Sequence, residues 1–386
     1  TARSRGLGDV YKRQYFIYID LKMTSHQKVK YVLGVETSCD DTAIGIIDSS
    51  KNIKANIVLN QNNYHKEFGG IVPEIAARAH LSFIDIALKK ALTKAKIKLE
   101  EIDLFCSTGG PGLIGGLIVG NTFCKTLAWS FQKPFLAINH LEGHALTARL
   151  LYDDLNYPFL LLLVSGGHTQ LIAVLNYGEY FRIGTTLDDS VGETFDKAAK
   201  MMGLDQPGGP LIEKLSKEGD ENFFKFPKPL YKSKNPNFSF SGLKTAFSKT
   251  VNNVDIDINK HNLAASLQKT ISDCLLDRTK LAIKIYRQIT KSHKVNLVIA
   301  GGVAANKKIR ADLKNLSNKE DIKFYVPTLE LCTDNGAMIA WAGFERYKLK
   351  KDTMFNFKPR PRWPLDPNAF KNNPTMRLVG KKGIKA

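Results

Sequence analysis

No two cysteines in this chain are spaced C-x-x-C; the five present (Cys39, Cys106, Cys124, Cys274 and Cys332) are scattered. An odd, dispersed set excludes a disulfide framework and implies reduced thiols in a cytosol-like compartment. No apolar run approaches the ~18 residues of a membrane-spanning helix, and no secretory signal is visible. The sequence therefore predicts a soluble, cytoplasmic protein with no membrane partner. No G-x-x-x-x-G-K-[ST] occurs, so a P-loop is excluded. Acidic residues are in short supply: 37 Asp and Glu stand against 56 Lys and Arg, a formal net charge of +19. Such an excess attracts polyanions, nucleic acid above all. Against that, most of it is lysine spread along the chain, as a lysine-rich proteome would produce.

The 386 residues, 43% of them apolar, suffice for one large domain or two ordinary ones with a substantial core. Thr1–Gln14 is basic and without periodicity, so residues 1–27 are read as a non-native or disordered extension with Met23 as the true start. The stretch from 366 to 386, rich in Lys, Asn and Pro, is expected to be a flexible basic tail. Between these ends, strands and helices alternate. Tyr31–Val35 and Thr42–Ile47 flank the polar turn Glu36–Asp41, and Phe159–Val164 and Gln170–Val174 flank Ser165–Thr169. Both read as antiparallel hairpins, an internal repeat at domain scale that predicts two related lobes. Leu104–Ser107 leads to a helix near Leu113–Trp129, and Leu297–Ala300 to a helix from about Ala304. This order implies an α/β fold with covered sheets and a ligand cleft between lobes.

His140 and His144 are the strongest chemical signal. Spaced i, i+4 on a helix, they share one face, as two metal ligands require. Asn139 is read as the N-cap, and Pro134–Ile138 as the preceding strand. The bland alternative is a pair of polar surface histidines. A zincin needs Glu directly after the first His, and the inverted motif needs it directly before the second. Glu142 sits midway, rotated away from the imidazoles and poorly placed to activate water. Asp334 is a candidate third ligand, although an Asp opening an apolar helix is commonly just an N-cap.

Gly-rich turns recur. Gly110–Gly115 matches G-x-G-x-x-G, but Pro111 stiffens the turn, no acid follows about 20 residues on, and a hairpin precedes it. Anion binding and close helix–sheet packing remain equally open there. Ser165–Thr169 could bring backbone amides close to an anion. The segments 188–197, 206–210, 238–244 and 301–306 complete the pattern expected around a nucleotide-like ligand.

In combination these motifs resemble the TsaD family, tRNA N6-adenosine threonylcarbamoyltransferases once labelled glycoproteases. The resemblance runs from Tyr31 to about Leu365. Its carriers include Gly34–Asp40, Gly69–Glu74, Thr108–Gly112, His140–His144, Leu163–Gln170, Phe238–Lys244, Ala300–Asn306, Thr333–Met338 and Arg360–Leu365. It implies an actin-like, sugar-kinase-like fold with duplicated RNase H-like sheets. The first lobe would span 28–156, completed by about 335–365, and the second 157–334. It implies transfer of threonylcarbamoyl from threonylcarbamoyl-AMP to the adenosine beside the anticodon of tRNAs reading codons that begin with A, with release of AMP. Carried over by position, His140, His144 and Asp334 become ligands of one iron or zinc. Leu163, Val164, Ser165, Gly166 and Gly167 contact the substrate, Asp196 and Glu213 its ribose, and Gly209 and Asn306 its base and ribose. Asp40 helps position or deprotonate the attacking amine; Asp41 stands where many members have Glu. Implied partners are tRNA, a TsaB-like paralogue and a small TsaE-like P-loop ATPase; Lys66, Arg78 and Lys125 are candidates for RNA or partner contact. The rival readings are a metal-dependent peptidase and a non-catalytic actin-like nucleotide-binding module.

Overall fold

The computed structural model describes residues 29–68, 70–350 and 352–369. The expected extension thus lies almost wholly outside the described residues. Tyr31–Glu36 (β1), Asp41–Asp48 (β2), Ile53–Asn60 (β3), Leu104–Gly110 (β4) and Phe135–Asn139 (β5) form one sheet, in the order β3-β2-β1-β4-β5. Phe159–Val164 (β6), Thr169–Asn176 (β7), Glu179–Thr185 (β8), Asn296–Ala300 (β9) and Lys323–Tyr325 (β10) form the other, in the order β10-β9-β6-β7-β8. Matched strand for strand, the two orders are the same. In each sheet the first three strands form an antiparallel meander, and the last two join parallel to the first. Both expected hairpins are present; β3 and β8 extend each of them by a strand.

The longer helices are Pro73–Ala95 (α1), Ile114–Ser130 (α2), His140–Leu151 (α3), Val191–Met201 (α4), Gly208–Ser216 (α5), Ser241–Val251 (α6), Ile256–Thr290 (α7), Lys307–Lys319 (α8) and Gly336–Lys350 (α9). The helix expected from Ala304 starts later. Gly302–Ala305 is a 3-10 turn, and Asn306 caps α8 by accepting the Ile309 amide.

Strand alternation sorts the side chains into three cores. In β1, Leu33 and Val35 face a core shared with α1 and α2, while Val32 faces the opposite way. In β6, Leu160, Leu162 and Val164 face a core shared with α4, α6 and α7; Phe159, Leu161 and Leu163 face the opposite way. Val32 and Leu161 meet in one middle core, together with α3 and α9. The molecule is therefore five layers deep, and two helices serve both sheets. Burial on both faces explains why β6 reads as an unbroken apolar run. Each fully buried leucine of that run contributes about 2 kcal/mol.

α9 lies directly on the backbone of the first sheet. A methyl group on Gly34 would overlap the Gly336 carbonyl, and one on Gly45 would overlap the Ala337 amide. A strap after α9 then crosses the molecule. Met354 N–H donates to Phe135 O (2.7 Å), Arg360 N–H to Gly109 O (2.7 Å), and Arg182 N–H to Asp366 Oδ2 (2.9 Å). The expected flexible tail therefore begins later than 366: Asp366 and Ala369 are buried, and residues 370–386 lie outside the described residues.

Candidate metal centre between the two sheets

β5 runs into α3 with no intervening loop. Asn139 ends the strand and caps the helix, its Oδ1 accepting the amides of Leu141 (2.9 Å) and Glu142 (3.4 Å). This confirms the expected cap and fixes where the helix begins. His140 and His144 then sit one turn apart, with ring centroids at 4.8 Å and planes at 89°. Asp334 comes from the segment just before α9, and its Oδ1 lies 3.0 Å from His144 Nε2 and 3.6 Å from His140 Nε2. It is not the cap of α9. Asn335 takes that role, its Oδ1 accepting the Met338 amide at 2.9 Å. One ligand atom from each of His140, His144 and Asp334 lies within 4.8 Å of the others.

Glu36 completes the arrangement. It ends β1 fully buried, and its Oε2 lies 2.9 Å from His140 Nδ1 while accepting the Thr108 hydroxyl at 2.5 Å. Its Oε1 accepts the Ser38 amide at 2.6 Å. The carboxylate holds the proton on Nδ1 and leaves Nε2 to face Asp334. A carboxylate behind one imidazole, and a second carboxylate in front of both, match the donor set and outer support of a divalent metal site. The residues fit such an ion.

The charges are strongly coupled. Burial alone would press His140 toward its neutral form, but the carboxylates of Asp334 and Glu36 reverse this and lift the ring to about 9. Burial works upward on Asp334 as well, yet His140, His144 and His168 hold it far below the ordinary carboxylate range. Burial, followed by the fields of Asp334, Asp40 and Glu36, pushes Asp41 up to about 7. Both hairpin turns thus converge here: Glu36, Asp40 and Asp41 from the first, His168 from the second. Asp40 is half-buried on the rim of the cluster.

The second turn is tight. Ser165 N–H donates to His168 O (2.8 Å), and His168 N–H to Ser165 Oγ (3.1 Å). Leu163 and Val164 are buried in β6 behind it. A methyl group on Gly166 or Gly167 would meet nothing within 4 Å, so protein packing does not demand glycine there; the open side is available to a ligand. Gly301, with φ +93°, lies against Val164 O. A second group lies on α4, α5 and α8. Asp196 Oδ1 accepts the Gly208 amide (2.7 Å), and Glu213 Oε1 accepts the Lys307 amide (2.8 Å). Gly209 faces open space. Asn306 has no free side-chain atom: besides capping α8, its Nδ2 donates to Gln268 Oε1 at 2.7 Å. Glu213, Gln268 and Lys307 line a groove of about 240 Å³.

A model of the TsaD family, described as tRNA N6-adenosine threonylcarbamoyltransferase, matches residues 52–341. A relative of that name from Rickettsia rickettsii (strain Sheila Smith) is 52% identical over 339 residues, covering 87% of this chain and 98% of the relative. Another, from Pelagibacter ubique (strain HTCC1062), is 48% identical over 346 residues, covering 89% and 97%. The chain belongs to the TsaD family. Among solved structures, full-length HypF in its phosphate- and nucleotide-bound form is similar with a TM-score of 0.54 at 11% identity, covering 84% of this chain and 56% of that one. That likeness concerns the fold alone, which is the actin-like one.

In this TsaD-family chain several motifs prove structural. Two amides at the G-x-G-x-x-G segment already donate to the protein: Leu113 N–H to Ser38 O (2.7 Å) and Gly112 N–H to Pro361 O (3.2 Å). A methyl group on Gly110 would overlap the Arg360 carbonyl, one on Gly112 the Ser38 carbonyl, and one on Gly115 the Ala77 side chain. Close packing, not an anion, accounts for these glycines. The 238–244 segment surrounds Asp188, which accepts the hydroxyls of Ser239 (2.5 Å) and Ser241 (2.9 Å) and the Phe240 amide (2.7 Å). Lys125 donates to Phe357 O (2.5 Å) beneath the strap; Arg78 and Lys66 pair with Glu74 (3.1 Å) and Asp205 (3.8 Å). Glu142 does point away from the histidines, as its position in the motif requires, which removes the peptidase logic. Glu36 is not legible in the sequence as a functional residue, since only the fold reveals its partner His140. Among the described residues, no helix is long and apolar enough to cross a membrane.

Proposed function

We propose that this chain transfers threonylcarbamoyl from threonylcarbamoyl-AMP to the exocyclic amine of the adenosine beside the anticodon in tRNAs reading codons that begin with A. The observation that carries this is the convergence of His140, His144 and Asp334 where the two hairpin turns meet, in a chain of a family named for that transfer. The lobes are read as 28–156 with 335–365, and 157–334. His140, His144 and Asp334 would hold one iron or zinc. When bound, the ion supplies positive charge to fix a substrate oxygen and polarise the carbamoyl carbonyl.

The remaining work falls to the protein. The open side at Gly166 and Gly167 faces the anionic donor, with Ser165, whose amide is taken by His168 O, closing the turn and Leu163 and Val164 supporting it. Asp196 and Glu213 each have a second carboxylate oxygen for ribose hydroxyls. Gly209 leaves room for the base, and Asn306 holds the loop beside it. AMP is a good leaving group, so orientation and charge stabilisation suffice without a covalent intermediate. Asp40 positions the attacking amine; Asp41, near 7, is matched to accept its proton at neutral pH.

Exposed Leu81, Ile114 and Ile118 on the packed pair α1 and α2 support a protein partner, for which a TsaB-like paralogue is the choice, joined by a TsaE-like ATPase. The cytoplasm, where tRNA is read, is the inferred compartment. Purified chain with these subunits, threonylcarbamoyl-AMP and unmodified tRNA should yield threonylcarbamoyladenosine by nucleoside mass spectrometry. The absence of product with wild-type protein, or full product with metal-free His140→Ala, would overturn the reading.

A further inference from the structure

Glu142 stands between the two histidines, and the transfer gives it no task. Yet it is a carboxylate in the middle core, only 8% exposed. A buried carboxylate is costly unless its oxygens have donors. Both oxygens of Glu142 do: Oε1 accepts the Tyr180 hydroxyl at 2.5 Å, and Oε2 accepts the Tyr177 hydroxyl at 3.1 Å. Tyr180 is on β8 and Tyr177 is in the turn before it, so both donors belong to the second sheet. α3 itself continues from β5 of the first sheet. One side chain therefore ties the histidine helix to the opposite sheet.

The tie constrains a particular motion. Glu36 holds His140 on one side of α3, and the tyrosine pair holds Glu142 on another. A helix anchored on two sides cannot roll about its axis, and roll is the motion that would swing both imidazoles relative to Asp334. An apolar residue at this position could fill the space but would hold no direction.

We propose that Glu142 is a positioning residue: through Tyr177 and Tyr180 it sets the roll of α3, and with it the reach of His140 and His144 to Asp334. This rests on the metal reading above. The test uses the full-length, metal-free chain with cobalt(II) as probe, since its visible absorption reports ligand geometry. Tyr177→Phe combined with Tyr180→Phe should bind cobalt about tenfold more weakly, with an altered absorption band. Glu142→Gln keeps an acceptor for one hydroxyl and a donor to the other, and should bind as wild type does. A purely structural role would lower the melting temperature and leave cobalt affinity and absorption unchanged in the double variant; that result overturns the proposal. If the double variant does not fold, Tyr180→Phe alone is read by the same criteria. A wild-type chain that takes up no cobalt overturns the metal reading and this inference together.

Discussion

His140 is gripped at both ring nitrogens, by Glu36 behind and Asp334 in front. Its raised value of about 9 has a definite sign. A group raised from its unfolded value near 6.5 lends stability that is fully present below that pH and is lost as pH climbs through about 9. The metal-free chain should therefore melt at progressively lower temperature across that window in a scanning fluorimeter, once a His140→Ala control is subtracted. Metal must displace the same proton, so zinc affinity should rise by up to about tenfold per pH unit over the window, with proton release measurable by calorimetry in buffers of different ionisation enthalpy. Glu36→Gln, which keeps the shape but weakens the hold on Nδ1, should reduce metal affinity at least about tenfold. The histidine pair was legible because i, i+4 is a local pattern. Glu36 was not, because its partner lies 104 residues further on and its own neighbours read as the end of a strand. Asp334 was ambiguous for a different reason: cap and ligand ask for the same residue type, and only the position of Asn335 decides between them.

At the level of elements, the two hairpins were readable because apolar runs flank short polar turns. Their third strands were not. β3 is half-buried or buried over its first five residues and alternates only at its end, and β8 begins exposed, so neither offers a clean period. α8 starts three residues after Ala304 because Gly302–Ala305 closes as a 3-10 turn and Asn306 supplies the cap. Caps and close contacts make sharp predictions here. Asn139→Ala should cost about 1 kcal/mol in urea unfolding through loss of the α3 cap. Gly34→Ala should cost about 3 kcal/mol or prevent folding, because the added methyl has only the backbone of α9 to displace.

For the whole molecule, a duplication is legible in two hairpins half a core apart, but the full strand order and the shared middle layer are not. Nothing in the periodicity of α3 or α9 says that each will be covered from two sides, apart from their unusual lack of a polar face. The charge of +19 acts at this scale too. Binding of tRNA should weaken at least about tenfold between 50 and 200 mM salt, as counterion release requires, in a filter or fluorescence titration. A flat salt response would mean that the lysine excess is compositional and not a footprint of RNA.

The five-layer arrangement has a mechanical consequence. When two plates share one axle, a point at the rim travels far for a small change of angle, whereas a point on the axle hardly travels. His140, His144 and Asp334 are carried by, or directly abut, the two helices that act as that axle. The two hairpin turns meet beside the same axle. Were the sheets to turn against each other about these helices, the three donor atoms would therefore keep their spacing.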